Sequence, residues 1–368
     1  MYQGAVAALI PFFIAEHAYS YAAASGIVLA ASLLSSVAQP LFGALTDRWA
    51  MPWLLPVSTL AGGAGVALVG VGGVGGSYPL TLAVIALSGV GVAAYHPESA
   101  RIARLASRGS HSAMGWFSLG GNLGFATAPL LVSAVVATGG LRASPLLVVP
   151  ALAGAALCVA AVRSLRTSAA ADGSAAAYRP DGADDWRAFL LMSGAVVCRS
   201  VVFVGLSTFV SLYARERVGG PAFVGTAALF TLYAGGAFGT VAGGRLAHRF
   251  GRVAVVRWSY ALTVPAVAGV VLVPGPPLFV CVALTSAGLY VPFSLHVTLG
   301  QDYLPRRVGT ASGVTLGLTV SVGGLASPLI GAAADATSLQ LALTPLIALP
   351  AAGWLLVRKL YEPGQGVR

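Results

Sequence analysis

The chain has 368 residues, of which 57% are hydrophobic and 9% are charged, and its mean hydropathy is +0.85. This composition lies far outside the range of soluble globular domains, so it excludes a soluble enzyme or a soluble binding module. The formal net charge is +10, but the basic residues lie in short segments between apolar runs. We therefore expect an all-α membrane protein that contacts membrane lipid, and no nucleic-acid partner.

Apolar runs long enough to cross a hydrocarbon core of about 30 Å recur along the whole chain. Residues 1–14, MYQGAVAALIPFFI, are apolar but too short to cross alone, and they lack the basic region and cleavage site of a signal peptide. We interpret them as the second half of a first helix that is shortened at its N-terminus. Together with eleven complete runs, they predict twelve transmembrane helices. The complete runs cover residues 26–45, 53–72, 79–97, 113–138, 144–162, 188–213, 222–243, 253–273, 277–300, 308–333 and 338–357.

The positions of the basic residues indicate the orientation in the membrane. If the first helix runs outward, all but four of the 21 Lys and Arg residues lie in segments that face the cytoplasm. The exceptions are Arg142, Arg215 and Arg217 in outer segments, and Arg199 inside an apolar run. By the positive-inside rule, this asymmetry predicts a multi-pass protein of the cell membrane with both termini in the cytoplasm.

One long polar segment divides the chain into two similar halves. Residues 164–186 are rich in Ala, Ser, Gly and Asp, which predicts a cytoplasmic linker between six-helix bundles at 1–163 and 187–368. The halves also share sequence patterns. GALTDR begins at Gly43 and GRLAHR at Gly244, while GNLGFATAP ends at Pro129 and VGGLASP ends at Pro328. A parallel repeat of this kind is typical of transporters with a substrate site near the midplane, between the halves.

These motifs resemble those of the major facilitator superfamily, whose loop between helices 2 and 3 carries G-x-x-x-D-R. SSVAQPLFGALTDR, YHPESARIARLASRGSHSAMGWFSLGGNLGFATAPLL and GQDYLPRRVGTASGVTLG are similar to the fosmidomycin-resistance branch of that family. The resemblance implies proton-coupled drug efflux. We also expect a monomer that binds no cofactor. Members of this branch usually carry a polar stretch containing acidic residues before the YQG of helix 1, whereas this chain begins at Met1.

The passage AYHPESARIARLASRG, residues 94–109, concentrates charges at the predicted cytoplasmic end of helix 4. His96 and Glu98 are two positions apart, roughly 200° around a helix, so they cannot hold one metal ion from a single face. Glu98 and Arg101 are three apart and can meet, and Arg101, Arg104 and Arg108 follow one stripe. The stripe predicts either an anchor for the orientation in the membrane or a gate that draws an anionic substrate inward.

Glu98 has two interpretations, because a carboxylate in a membrane helix is costly unless it is paired, protonated or hydrated. It is either the proton-coupling group or one half of a static clamp with Arg101. His96 has an ordinary pKa of about 6.5, which suits a proton relay, and it could also bind substrate. The alternative is a hydrogen-bonded packing residue.

Arg199 is the twelfth residue of the run 188–213. A central arginine costs about 2.5–3.5 kcal/mol on insertion scales, so we expect it to face the protein interior. Its partner is either an anionic substrate or counter-ion, or backbone carbonyl groups. Seven further residues are candidates to line the substrate cavity, with ordinary packing as the alternative. They are Tyr2, Gln3, Trp116, Phe117, Asn122, Tyr290 and His296.

Asp47 and Arg48 follow helix 2, where the family pattern implies a cytoplasmic latch between helices, and His248 and Arg249 occupy the equivalent place in the second half. Glu16 and His17 lie at the predicted outer end of helix 1, in an external gate or a solvated loop. The three cysteines lie within apolar runs, which indicates neither a disulfide framework nor a metal site.

The sequence therefore predicts an exporter that exchanges protons for a small anionic or amphiphilic compound. Uptake or exchange of a metabolite by the same fold is the alternative, because the fold alone does not separate efflux from uptake. A membrane sensor is disfavoured, since no soluble domain is present, and an enzyme is disfavoured, since no nucleophile–base or metal pattern is present.

Overall fold

The computed structural model describes residues 1–49, 51–72, 74–107, 111–169 and 183–363. All regular elements in these ranges are helical. The first half contains α1 Tyr2–His17, α2 Tyr21–Arg48, α3 Leu54–Ala67, α4 Tyr78–Ser107, α5 His111–Gly139 and α6 Val149–Ala169. The second half contains α7 Trp186–Val218, α8 Ala222–Phe250, α9 Arg252–Leu272, α10 Leu278–Tyr290, α11 Phe293–Tyr303, α12 Val308–Ala336, α13 Leu339–Leu343 and α14 Ala348–Val357.

Within the described residues, nine helical stretches are long and apolar enough to cross a membrane. One of them, Leu119–Ser164, covers both α5 and α6 with a 3-10 segment between them, and another, Leu278–Tyr303, joins α10 to α11. The apolar helix at Leu54–Gly70 is shorter. The predicted all-α membrane architecture is confirmed, and the count of twelve spans stays a prediction.

The helices alternate between two ends of the molecule. We call the inner end the one where α2 ends at Arg48 and α8 ends at Phe250, and the outer end the one where α1 ends at His17 and α7 ends at Val218. The predicted orientation places the inner end in the cytoplasm.

Local sequence signals set several helix ends. The Ser20 hydroxyl accepts a hydrogen bond from the Ala23 amide at the start of α2, and Asp185 does the same for the Ala188 amide at the start of α7. Helix α8 is followed by Gly251, whose φ of 84° is accessible to glycine without strain, and α9 begins at the next residue. This sharp turn fixes α8 against α9 at the inner end.

The two halves meet along two seams, one between α2 and α12 and the other between α5 and α8. The repeat predicted from the sequence relates α2 to α8 and α5 to α12, so it makes the two seams equivalent when the halves are exchanged. Small residues permit close approach: a Cβ on Gly324 of α12 would lie 2.6 Å from the Ser32 Cβ, and one on Gly331 would lie 2.6 Å from the Tyr21 carbonyl oxygen.

The buried apolar residues fall into two clusters among the described residues. The larger one contains residues of both halves and extends from the middle of the seams to the outer end. The other lies at the inner end and contains residues of the second half alone. Apolar packing therefore joins the halves in the outer part of the molecule.

Candidate substrate site

A narrow cavity of about 40 Å³ lies between the halves. Its volume holds a few water molecules, whereas sites for drug-sized ligands are about 300–1,000 Å³, so this conformation must widen around a substrate. The lining residues come from six helices. They are Gln3, Val6 and Ala7 of α1; Val28, Ala31, Ser32 and Ser35 of α2; Ser88, Gly89 and Val92 of α4; Phe125 of α5; Phe203, Val204 and Ser207 of α7; and Tyr233 of α8.

Helix α4 places His96 on the cavity side. Gly89 and Val92 line the cavity, and His96 follows them at seven and four residues, on the same face and one turn nearer the inner end. The His96 side chain is exposed, so it lies on the continuation of the cavity toward the inner end.

Glu98 lies on a different face of α4. It is fully buried and takes part in a polar or electrostatic interaction. Seven residues earlier on that face, a Cβ added to Gly91 would lie 2.4 Å from the Gly62 amide nitrogen of α3. The structure therefore separates the candidate proton groups: His96 faces the cavity and Glu98 faces the interior of the first half.

Helix α7 places Arg199 on the cavity side of the second half. Ser207 and Phe203 line the cavity, and Arg199 lies one further turn toward the inner end on the same face. Arg199 is 4% exposed. Its Nη1 donates to the Leu289 carbonyl at 2.8 Å, and its guanidinium lies 5.3 Å from the centre of the Phe293 ring. A longer contact of 3.4 Å joins Nη2 to the Thr319 hydroxyl.

Arg199 retains unused hydrogen-bonding capacity. Among the described residues, its Nε has no hydrogen-bond partner, and neither ring nitrogen of the buried His296 has one. The His296 ring packs edge-to-face on Tyr260 at 5.8 Å, and His296 is close enough to Arg199 for their charges to interact. Buried polar groups normally find partners, so this cluster can bind a further donor or acceptor group.

Aromatic rings connect this cluster to the other half. Tyr290 packs edge-to-face on Phe203 at 5.6 Å, Phe203 contacts Tyr233 at 6.2 Å, and Tyr233 packs edge-to-face on Phe125 of α5 at 5.4 Å. The sequence analysis missed Phe125, Phe203 and Tyr233. A signal was available for Phe203, which lies one turn from Arg199 on the same helix face.

Asn122 lies within the α5–α8 seam. Its Nδ2 donates to the Gly236 carbonyl at 3.0 Å and to the Thr240 hydroxyl at 2.7 Å. Asn122 therefore joins the halves in this conformation. Trp116 and Phe117, nearer the inner end of α5, are 71% and 37% exposed.

The two candidate cavity residues on α1, Tyr2 and Gln3, have different surroundings. Gln3 lines the cavity. The Tyr2 hydroxyl donates to the Leu147 carbonyl at 2.9 Å, and its ring lies against Gly63 of α3, inside the first half.

The gating candidates are only partly described. The side chains of Asp47, Arg48, Arg101 and Arg104 lie outside the described residues. His248 and Arg249 are exposed at the inner end, and the Arg249 guanidinium lies 5.1 Å from the Phe250 ring.

Arg252, which the sequence analysis did not select, forms the ion pairs of this segment. It lies 2.6 Å from Asp302 and 2.8 Å from Glu362. These contacts fix the α8–α9 turn to the end of α11 and to the segment after α14.

Comparison with known families matches residues 1–328 to the model of the Major Facilitator Superfamily. The chain belongs to the major facilitator superfamily. It is therefore an integral, multi-pass transporter of small molecules rather than an enzyme, and the resemblance drawn from its motifs is confirmed.

Two relatives match nearly the whole chain. The fosmidomycin resistance protein of Escherichia coli is 29% identical over 367 residues, covering 97% of this chain and 88% of the relative. An uncharacterised major-facilitator-type transporter of Bacillus subtilis, YfnC, is 28% identical, covering 96% and 88%.

Solved structures show the same fold at low sequence identity. A bacterial homologue of the lysosomal transporter Spinster, in an inward-facing and occupied conformation, aligns with a TM-score of 0.75 at 16% identity, covering 98% of this chain and 95% of that one. The Escherichia coli fucose:proton symporter aligns with a TM-score of 0.63 at 15% identity, covering 97% and 95%. These likenesses show the fold alone.

Proposed function

We propose that this protein exports a small anionic or amphiphilic compound, of the fosmidomycin type, in exchange for protons. The observation that carries the proposal is the buried cluster of Arg199 and His296, which has free hydrogen-bonding capacity one helical turn from the central cavity. The relative named as a fosmidomycin resistance protein supports the same substrate class.

Arg199 suits an anionic head group. A guanidinium presents donors in a fixed fork that matches carboxylate and phosphonate oxygens, and one of its donors already binds the Leu289 carbonyl. Among the described residues, Nε has no partner and Nη2 makes only the 3.4 Å contact with the Thr319 hydroxyl, so these donors can turn toward an anion. Within the described residues, no acidic group is paired with Arg199, so an anion would also supply its missing counter-charge.

The aromatic rings between the halves suit the apolar part of an amphiphile. Phe125, Phe203 and Tyr233 all line the cavity, and the Tyr233 ring contacts the other two. A substrate whose head lies at Arg199 would place its body against these rings.

Access from the inner end fits export. A Cβ added to four glycines on the inner parts of α5 and α12 would meet no described atom within 4 Å; these are Gly120, Gly121, Gly313 and Gly317. Trp116 and Phe117 on the inner part of α5 are exposed as well, so the inner ends of these two seam helices are loosely packed. We infer that substrate enters here from the cytoplasm.

Protons are proposed to act on the first half. His96 faces the cavity and Glu98 is a buried carboxylate in the same helix, so both candidate proton groups belong to α4. Proton uptake from outside would loosen the pairing of Glu98. The emptied transporter could then return to the conformation that is open to the cytoplasm. Substrate binding at Arg199 from inside would then drive the proton off.

The test is proton movement in proteoliposomes that hold the purified protein and an internal pH-sensitive dye. We expect fosmidomycin to drive proton movement, and Glu98→Gln to abolish it while substrate binding remains. Glu16→Gln is the matched control, because it removes a carboxylate that contacts the Leu141 amide within the first half. Proton movement with a metabolite alone would indicate a metabolite carrier, and unchanged drug-driven movement in Glu98→Gln would remove Glu98 from the mechanism.

A further inference from the structure

The outer end of the α2–α12 seam holds a hydrogen-bonded contact that the proposed mechanism does not use. The Asp335 carboxylate in the last turn of α12 accepts hydrogen bonds from the Tyr21 amide at 2.8 Å and from the Ala22 amide at 2.9 Å. The Tyr21 hydroxyl donates to Glu216 of α7 at 3.2 Å. Two carboxylates of the second half thus hold the first turn of a helix in the first half.

The Asp335 contact is strong for its type. The first amides of a helix lack partners within the helix and form its positive end, and a carboxylate is a charged acceptor for them. Ser20 accepts from the Ala23 amide, so it leaves the amides of Tyr21 and Ala22 to another acceptor. Asp335 therefore completes the cap of α2 from across the seam.

Among the described residues, the equivalent place on the other seam has no such contact. The offset that relates Gly43 to Gly244 carries Tyr21 onto Ala222, which is the first residue of α8, as Tyr21 is the first residue of α2. The offset that relates Pro129 to Pro328 carries Val136 onto Asp335. Valine offers no acceptor, and Pro221 before α8 makes no side-chain cap.

The outer end of the α5–α8 seam is also hollow. A cavity of about 220 Å³ lies there, and Ala222 and Thr226 of α8, Pro129 of α5 and Arg215 of α7 are among its lining residues. At the α2–α12 seam, by contrast, Gly331 packs directly on the Tyr21 carbonyl. Closure of the outer end therefore depends on one seam more than on the other.

We propose that Asp335 is the positioning residue that holds the outer end of the transporter closed, through its hydrogen bonds to the first turn of α2. We call these bonds the Asp335 clasp. Opening to the outside requires their rupture, so the strength of the clasp sets the fraction of outward-open molecules. The inference rests on the alternating access of the proposed function but not on its substrate or its protons.

The experiment measures access to the central cavity from outside. Val28 lines that cavity and is buried. In a background with Cys158, Cys198 and Cys281 replaced by serine, Val28→Cys is labelled by a membrane-impermeant maleimide added outside de-energised cells, without drug. We expect Asp335→Ala to raise the labelling rate about tenfold, the factor that corresponds to about 1.4 kcal/mol, and Asp335→Asn, which keeps a neutral acceptor, to raise it less.

Glu16→Gln is again the matched control, since Glu16 caps the Leu141 amide at the outer end but within one half. We expect it to leave the labelling rate unchanged. Equal labelling in the parent, Asp335→Asn and Asp335→Ala would overturn the clasp, even if drug–proton exchange were established. Failure of drug–proton exchange with the expected labelling pattern would overturn the proposed function and leave the clasp intact. Asp335→Asn is nearly isosteric, so it keeps the test usable if Asp335→Ala does not fold.

Discussion

The Asn122 amide of α5 donates a 2.7 Å hydrogen bond to the Thr240 hydroxyl of α8, and this bond joins the two halves within the α5–α8 seam. The same amide also donates to the Gly236 carbonyl. Asn122 therefore has two hydrogen-bond partners in the second half.

Replacing Asn122 by alanine should loosen this seam. We expect the loss of both bonds to lower the stability of the purified protein by about 1 kcal/mol, because one hydrogen bond between membrane helices contributes about 0.6 kcal/mol on average. Thr240→Val should cost less, because it leaves the bond from Asn122 to Gly236 in place. The midpoint of thermal unfolding in detergent measures both effects, and a Thr240→Val protein less stable than Asn122→Ala would contradict this order.

Arg199 should govern substrate affinity. A hydrogen bond to a charged group contributes about 1.5–3 kcal/mol, so we expect Arg199→Gln to weaken equilibrium binding of fosmidomycin by about tenfold to a hundredfold. Arg199→Lys keeps the charge but loses the planar fork. Its affinity for fosmidomycin should therefore lie between that of the parent protein and that of Arg199→Gln.

Thr319→Val is the matched control for Arg199, because its 3.4 Å contact lies at the limit of hydrogen-bond distance. We expect less than about a twofold change in affinity. If Arg199→Gln binds fosmidomycin as tightly as the parent protein, the anion site lies elsewhere.

Glycines that pack between helices should tolerate no side chain. A Cβ on Gly65 of α3 would lie 2.4 Å from the Val84 carbonyl oxygen of α4 and 2.5 Å from the Ser88 amide nitrogen. Overpacking of this kind costs about 1–3 kcal/mol, so we expect Gly65→Ala to lower the unfolding midpoint. Gly121→Ala on α5 is the comparison, since its Cβ would meet no described atom within 4 Å. A midpoint unchanged in Gly65→Ala would contradict the close packing of α3 on α4.

Glu362 at the inner end should make stability depend on pH. Burial alone would raise the pKa of Glu362, but hydrogen bonds from the Arg252 guanidinium and the Val253 amide outweigh burial and hold the pKa below its ordinary value of 4.5. A carboxylate whose pKa is lower in the folded state stabilises the fold above its unfolded-state pKa, and that contribution is lost as the pH falls through the folded-state pKa. We therefore expect the temperature of half-unfolding to decrease when the pH is lowered below about 4.5.

The comparison variant is Glu362→Gln, whose side chain is neutral at every pH. Its unfolding midpoint should be lower than that of the parent protein at neutral pH and should fall less steeply on acidification. A variant that follows the parent curve at every pH would show that the Arg252–Glu362 pair contributes nothing to stability.

The sequence predicted Arg199 better than it predicted Glu98. Burial of Arg199 followed from the high cost of exposing a guanidinium to lipid, whatever the packing of its neighbours. The surroundings of Glu98 depend on which face of α4 packs on α3, and the structure places that carboxylate in the interior of the first half. The likeness between the motifs at Gly43 and Gly244 indicated the repeat. The replacement of Val136 by Asp335 at equivalent positions could be interpreted only from the structure, which shows that Asp335 contacts α2 across one seam.

What the sequence alone determined is the class of the protein, the approximate extent of its helices and its family. A bilayer accepts backbone only in hydrogen-bonded helices or closed barrels, so long apolar runs specify helices directly. The tertiary structure decided which face of each helix meets the cavity, which residues form the two seams, and that Asp335 caps a helix more than 300 residues away in the chain. Helices in a membrane are apolar toward lipid and toward protein alike, so no polar stripe in the sequence marks the buried face, and only the packing of small residues and scattered polar groups selects it.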